Sequence, residues 1–151
     1  MPDRREPQRI VSLSASNTEI LAALGLTRRI VGVDNWSDYP PAVRALPRVG
    51  RDLDIDVDKV AALEPDLVVA CLSVPGMERN IPRLEAAGLP FIAPKPVGLD
   101  TIFDNVRLIG RATGRTARAE ALVVDLEARM AMVERAAASI RQRPRVYWEW
   151  Y

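Results

Sequence analysis

The chain has 151 residues, 48% of them hydrophobic and 27% charged, with a formal net charge of +1, which is the composition of one globular domain. The near-zero net charge excludes a global attraction to nucleic acid or to an anionic membrane surface. The absence of histidine and the single cysteine, Cys71, exclude histidine-based general bases, an intramolecular disulfide and any cysteine-based metal cluster.

Short apolar runs with β character alternate with amphipathic stretches over residues 10–111. The first strand is predicted at Ile10–Leu13. The next residues match a capping box, in which Ser16 caps a helix and Glu19 reaches back to the cap amide, and Gly25 is placed to end that helix. Further strands are predicted at residues 30–33, 67–70 and 89–93, and further helices at residues 56–64, 77–87 and 99–111.

Residues 34–54 are predicted to form a long loop, because Pro40, Pro41 and Pro47 interrupt any regular pattern. Strands that alternate with helices predict a parallel sheet covered on both faces, and continuously apolar strands are typical of such burial. Right-handed crossovers restrict the topology to a doubly wound layer. The fold class is therefore α/β, with a doubly wound parallel sheet in a Rossmann-like lobe over residues 1–112.

Residues 116–141 contain no helix breaker, and their apolar residues recur at steps of three or four, which predicts one long amphipathic helix. About 26 residues at about 1.5 Å each give a rod of roughly 40 Å, which is longer than a small sheet layer is deep. Such a rod suits either a backbone helix that bridges two lobes or a coiled-coil dimer. The stripe alone does not decide between these two interpretations, and residues 113–142 are assigned to this connecting helix.

A third segment, residues 143–151, follows the long helix. Pro144 ends the helix, and the aromatic-rich residues 145–151 have strong β propensity. A single strand has no sheet of its own, so we interpret it as the first strand of a second lobe that this truncated chain does not include. An additional strand on the first sheet is the alternative. Exposed Trp148 and Trp150, together with the helix stripe, predict a homodimer through the long helix and this strand.

Candidate ligand-binding residues follow the predicted strands, because ligands of open parallel sheets bind beyond the carboxyl ends of the strands. Trp36 and Tyr39 lie in the loop after the second strand, where aromatic rings offer flat apolar area to a large ring-containing ligand. Packing within the proline-rich loop is the alternative for both, and a purely capping role is the alternative for Ser16. The candidate set is Ser14, Ser16, Trp36, Tyr39, Arg51, Leu72 and Ser73.

The sequence contains no recognisable catalytic constellation, so no enzymatic activity is predicted. Residues 12–19 contain no glycine, which excludes dinucleotide-binding and Walker-type phosphate loops, and no histidine is present to activate Ser14 or Ser16. The alternating acids of residues 52–58 lack the glycine and the closing glutamate of a calcium loop. Acids that favour a helix N-terminus are preferred over a divalent cation site, and no metal or cofactor is predicted.

Three stretches of the chain resemble the cobalamin and iron-siderophore substrate-binding proteins of ABC importers. Arg9–Pro41, with the sequence RIVSLSASNTEILAALGLTRRIVGVDNWSDYPP, resembles their opening, and Asp56–Ala70, DVDKVAALEPDLVVA, resembles the next block. Gly98–Val123 resembles the helix that leads into their long interlobe helix. The resemblance implies two α/β lobes joined by one rigid helix, with the ligand held between the lobes.

The resemblance also implies roles for individual residues. Tyr39, within SDYPP, matches a tyrosine on the ligand face of the cobalamin binders, and Asp58 matches an acid that docks onto arginines of the membrane permease. Asp52 and Cys71 stand near positions where cobalamin binders can place tryptophan, which is a departure from the pattern. The absence of histidine argues against haem ligation by this lobe.

The resemblance therefore implies a component that captures a corrinoid such as cobalamin, or a ferric siderophore, and delivers it to a permease. It places the full-length parent in the periplasm or at the cell surface. Residues 1–8 lack the apolar core of a secretory signal, so a cytoplasmic location stays open. The alternative function is a cytosolic, non-transport module that binds a corrinoid or dimerises through its helix.

Overall fold

The computed structural model describes residues 6–142 and 144–149. Its strands are β1 (Ile10–Ser12), β2 (Ile30–Val33), β3 (Gly50–Arg51), β4 (Asp54–Ile55), β5 (Leu67–Val69) and β6 (Phe91–Ile92). Its α-helices are α1 (Ala15–Ala23), α2 (Val57–Ala62), α3 (Asn80–Ala86), α4 (Leu99–Ala112) and α5 (Thr116–Ala138). Short 3₁₀ turns at Thr27–Arg29, Pro41–Ala45 and Met77–Arg79 complete the regular structure of the described residues.

The main sheet has the strand order β2-β1-β5-β6, and all of its described pairs are parallel. Ile10 of β1 is paired with Ile30 on one side and with Leu67 on the other. The chain places β2 on one side of β1 and then crosses over to place β5 and β6 on the other side. The sheet is therefore doubly wound, as the sequence predicts. The carboxyl ends of the parallel strands consequently lie along one edge, and their loops meet there.

Two apolar cores lie on opposite faces of the sheet, because successive strand residues point to opposite sides. Ile10 of β1 belongs to the core beneath α1, α4 and α5, and the next residue, Val11, belongs to the core beneath α2 and α3. The residues of β5 divide in the same way, with Val68 opposite its two neighbours. Helices therefore cover both faces, which confirms the predicted α/β lobe.

The helices α4 and α5 pack side by side through a close approach of Gly110 and Ala119, since a Cβ atom on Gly110 would clash with the Ala119 side chain. Ala119 and Val123 are buried, whereas every described residue from Met132 onward is exposed. The helix α5 therefore packs on the lobe as far as Met130, and only its last residues, from Met132, are exposed on every side chain. None of the helices among the described residues is long and apolar enough to cross a membrane.

The predicted cap of α1 was wrong. Ser14, with extended backbone angles, precedes the helix, and its Oγ accepts the Asn17 N–H at 3.4 Å, while Ser16 lies within the first turn. Because β1 already ends at Ser12, the chain enters the helix two residues earlier than the capping-box pattern indicates. Gly25 follows the helix with a φ of 79°, as expected for a residue that ends it.

The predicted long loop at residues 34–54 was also too simple, because it contains the Pro41–Ala45 turn and the antiparallel β3–β4 hairpin. The long helix ends at Ala138 rather than at residue 141. Residues 145–149 form no strand, because they pair with neither edge of the sheet, and Tyr147 and Trp148 are 83% and 85% exposed. Trp150 and Tyr151 lie outside the described residues, so their part in a second lobe or in a homodimer stays a prediction.

Candidate functional site

The loops that follow β1, β2, β5 and β6 form one continuous surface, which we call the carboxyl edge. Trp36 and Tyr39 reach it from the loop after β2 and are 58% and 59% exposed. Val97 and Leu99 reach it from the loop and helix after β6 and are also strongly exposed. Exposed apolar side chains grouped at the ligand-binding end of a parallel sheet indicate a surface that a ligand or partner covers.

The N-terminus of α1 lies at the middle of this edge. Ser14 is buried and its hydroxyl caps the helix, whereas Ser16 is exposed and its Oγ lies 3.3 Å from Ser14 Oγ. Asn17 donates from Nδ2 to the carbonyl oxygen of Ala70 at 2.7 Å, which ties α1 to the end of β5. Of the two serines predicted to bind ligand, Ser16 is therefore the accessible one, and Ser14 is committed to the cap.

The loop that carries Trp36 is held by buried polar groups. Asp34 is fully buried, and its Oδ2 accepts the Trp36 N–H at 3.0 Å while its Oδ1 accepts the Ser37 hydroxyl. Burial raises the pKa of the Asp34 carboxyl, against the lowering effect of the hydrogen bonds from Ser37 and Trp36. Arg48 donates to the carbonyl oxygens of Asp34 and Ser37, which fixes the loop from its other side. More than half of the surface of Trp36 and of Tyr39 is exposed, so packing within the loop leaves most of each side chain uncovered.

The β3–β4 hairpin extends the carboxyl edge towards the loop after β5. Gly50 accepts the Asn35 N–H at 2.8 Å, and Asn80 of α3 donates to the carbonyl oxygen of Asp52 at 2.8 Å. Leu53, at the hairpin turn, is exposed and lies beside Gly76. The hairpin therefore carries the predicted residue Arg51, which is exposed, to the rim of this surface.

A concavity of about 520 Å³ lies between the ends of β5 and β6. Its lining includes the predicted residues Leu72 and Ser73 together with Lys95 and Val97, which the candidate set omits. A signal for these two was present in the sequence, because both follow the last strand directly. Of the predicted residues, Leu72 and Ser73 line this concavity, Ser16, Trp36, Tyr39 and Arg51 are exposed outside it, and Ser14 is buried.

Asp58 lies outside the carboxyl edge, in the first turn of α2, and is exposed. Asp56 caps this helix by accepting the Lys59 N–H at 3.1 Å, and that hydrogen bond holds the pKa of Asp56 below its usual range. Asp54, Asp56 and Asp58 line a second concavity with Arg83, which pairs with Asp54 at 3.1 Å. Among the described residues, no group of three potential ligands is arranged to hold a metal ion. The interpretation of Asp56 and Asp58 as helix N-terminal acids is confirmed.

A family model described as periplasmic binding protein matches residues 10–151 of the chain. An uncharacterized ABC transporter substrate-binding lipoprotein of Bacillus subtilis is 34% identical over 139 residues, which is 91% of this chain and 44% of that protein. The chain therefore spans less than half the length of this curated relative.

Solved structures share the fold. The periplasmic vitamin B12-binding protein of Vibrio cholerae superposes with a TM-score of 0.77 at 29% identity, over 89% of this chain and 52% of that one. A periplasmic haem-binding protein from Roseiflexus superposes with a TM-score of 0.81 at 31% identity, over 91% of this chain and 52% of that one. In both cases about half of the larger protein has a counterpart here.

Proposed function

The chain belongs to the periplasmic binding protein family, and from this premise we propose that it forms the first lobe of the substrate-binding component of an ABC importer. Its ligand is a corrinoid such as cobalamin, with a ferric siderophore as the second candidate in the same class of large metal complexes. The exposed pair Trp36 and Tyr39, on a loop anchored by buried groups, is the observation that carries this proposal. Rigid aromatic anchors supply large apolar area for a ring-containing ligand.

The shape of the carboxyl edge supports capture between two lobes. Binding pockets usually cover about 70–90% of a ligand's surface, whereas this edge is a broad, open surface with one modest concavity. A second surface must therefore close over the ligand. The relatives are about twice as long as this chain, and the last residues of α5, from Met132, are exposed, so we assign α5 as the connection to that second lobe.

Asp58 is proposed as a docking residue for the permease. Its carboxylate is exposed in the first turn of α2, beside Asp54 and Asp56, so the local surface is acidic. Arginine side chains of a partner recognise carboxylates through charge-assisted hydrogen bonds. The full-length protein acts outside the cytoplasmic membrane in this proposal, where it meets an importer.

The ligand is tested by calorimetric titration of the full-length protein with cyanocobalamin, a ferric siderophore and haemin as separate probes. We expect cyanocobalamin to bind with a dissociation constant in the low micromolar range or below, about −8 kcal/mol. Binding of the ferric siderophore alone would support the second candidate within the same proposal. Binding of haemin alone, or of none of the three, would contradict it.

The docking role is tested by Asp58→Lys, with Glu85→Lys on the exposed side of α3 as a control of equal charge change. We expect Asp58→Lys to slow uptake into vesicles that contain the permease about tenfold, because rim charges mainly govern association. The affinity for the ligand in solution should stay unchanged. An equal loss of ligand affinity, or an equal effect of Glu85→Lys on uptake, would show that Asp58 is not the docking residue.

A further inference from the structure

A buried chain of polar side chains lies directly beneath the aromatic loop of the carboxyl edge. Ser12, Thr18, Asp34 and Ser37 are each no more than 1% exposed. Thr18 Oγ1 lies 2.9 Å from Ser12 Oγ and 2.7 Å from Ser37 Oγ, and Ser37 donates to Asp34 Oδ1. The chain thus runs from the end of β1, through α1, to the start of the loop after β2.

This arrangement includes a carboxylate whose burial is unfavourable without compensation. The nearest guanidinium, that of Arg48, donates to the backbone carbonyls of Asp34 and Ser37 rather than to the carboxylate oxygens. Burial is the main cause that raises the pKa of Asp34, and the Asp52 carboxylate on the neighbouring hairpin adds to it, whereas the hydrogen bonds from Ser37 and Trp36 and the charge of Arg48 lower this pKa. A neutral apolar residue at position 34 would avoid these costs, so the carboxylate must supply something that such a residue lacks.

The hydrogen bonds of Asp34 show what it supplies. Its Oδ2 accepts the backbone N–H of Trp36, two residues further along, and this fixes the turn that brings Trp36 to the surface. A hydroxyl carries one hydrogen, so Ser37, which donates to Asp34, must accept from Thr18. Both oxygens of the carboxylate are therefore used, one to hold the loop backbone and the other to join that loop to α1.

We propose that Asp34 is a positioning residue of the carboxyl edge, which holds the loop after β2 so that Trp36 and Tyr39 stay exposed in one arrangement before the ligand arrives. For its ligand this inference rests on the proposed function. Its structural part concerns the loop itself and is measured without ligand. A pre-organised loop spares the ligand the entropic cost of ordering two aromatic side chains.

Two substitutions at Asp34 separate positioning from simple packing. In Asp34→Asn the amide oxygen accepts the Trp36 N–H and the amide nitrogen donates to Ser37 Oγ. The Ser37 hydrogen then turns to Thr18, whose own hydrogen goes to the Ser14 carbonyl oxygen 3.1 Å away. The bond from the Trp36 N–H keeps its direction, and the bonds between residue 34 and Ser37 and between Ser37 and Thr18 are retained in reversed direction. Asp34→Ala instead leaves the Trp36 N–H without its acceptor and removes the link between residue 34 and Ser37.

The experiment measures amide hydrogen exchange of residues 35–39, thermal unfolding and cyanocobalamin affinity for both variants of the full-length protein. We expect Asp34→Ala to speed exchange in this segment, and to weaken cyanocobalamin binding, by at least tenfold each. Asp34→Asn should stay within threefold of the unaltered protein in both. If Asp34→Ala does not fold, Ser37→Ala replaces it, with a smaller expected effect of about threefold in exchange because the Trp36 bond remains.

Three outcomes would overturn the proposal: unchanged exchange at residues 35–39 in the alanine variant, an equal loss in the asparagine variant, or an exchange increase of the same size in β1 and β5. The last would show general destabilisation rather than release of the loop. If the unaltered protein does not bind cyanocobalamin, the proposed function fails by itself, and the exchange measurements still decide the role of Asp34.

Discussion

The two edges of the sheet are built in opposite ways. At the carboxyl edge Asp34 and Ser37 are buried in hydrogen bonds, and apolar side chains such as Trp36, Tyr39 and Val97 are exposed. At the amino edge charged groups remain at the surface and are paired, as Glu6 is with Arg29 at 2.9 Å and with Arg115 at 3.3 Å. The charged groups of the amino edge are paired within the lobe. The carboxyl edge instead exposes apolar surface, whose contact with water is unfavourable until a ligand or partner covers it.

The same contrast holds for backbone groups at the amino edge. Asp66 accepts the N–H groups of Gln8 and Arg9 at 2.7 and 2.8 Å, just before β1 begins. The guanidinium of Arg9 in turn donates to the carbonyl oxygens of Leu63 and Glu64, at the end of α2. These side chains serve the lobe itself. The side chains of the amino edge thus stabilise the lobe, and the carboxyl edge is the surface to which we have proposed to assign ligand recognition.

The largest expected effect is a loss of ligand affinity without a loss of stability. Trp36→Ala should weaken cyanocobalamin binding by about 2 kcal/mol, or about 30-fold, because truncation of a central aromatic anchor commonly costs this much. The thermal midpoint should hardly move, since the ring is more than half exposed. Isothermal titration and thermal unfolding check the two parts. Val124→Ala, at an exposed apolar residue of α5, is the matched control and should leave the affinity unchanged.

The next largest expected effect is a loss of stability without a loss of ligand affinity. Asp66→Ala should lower the free energy of unfolding by about 1 kcal/mol, because two backbone N–H groups lose their acceptor at a solvent-exposed site. Urea denaturation measures this loss, and ligand affinity should stay unchanged. Asp66→Asn keeps one acceptor oxygen and should lose about half as much. A fall in ligand affinity with intact stability would contradict the division between the two edges.

The smallest effect is a pH dependence at the amino edge. The hydrogen bond from Arg29 holds the pKa of Glu6 below its usual range, so this pairing stabilises the fold above the ordinary glutamate pKa and loses that contribution as the pH falls through the lowered value. Glu6→Gln should flatten the acid side of the stability curve. Urea midpoints at a series of acidic pH values check this, and an unchanged slope would show that the pair contributes nothing.

Local signals in the sequence were sufficient for most of the lobe. Strand–helix alternation predicts the doubly wound sheet, and the predicted helix start at residue 56 is the N-terminal cap of α2. The error at α1 has a local cause, since Ser14 and Ser16 are both competent caps and only the end of β1 at Ser12 decides between them.

The features that sequence reasoning missed depend on contacts between distant residues. Nothing near Asp34 in the sequence shows that Thr18 will lie beneath its loop, because α1 brings that hydroxyl there. The β3–β4 hairpin has two residues in each strand, too few for an alternating pattern to be visible. The aromatic pair was found because tryptophan and tyrosine in a loop are unusual, whereas Val97 and Leu99 are ordinary until their exposure is known.

The helix α5 packs against α4 where Ala119 meets Gly110, near the amino edge, and α5 can tilt about this contact. Arg118 also holds this end of α5 in place by donating to the carbonyl oxygen of Ala23, at the end of α1. A helix of 23 residues is about 34 Å long. A tilt of about five degrees at this contact therefore displaces the carboxyl-terminal end of α5 by roughly 3 Å. The small size of the residues at this contact therefore decides where the carboxyl-terminal end of α5 lies.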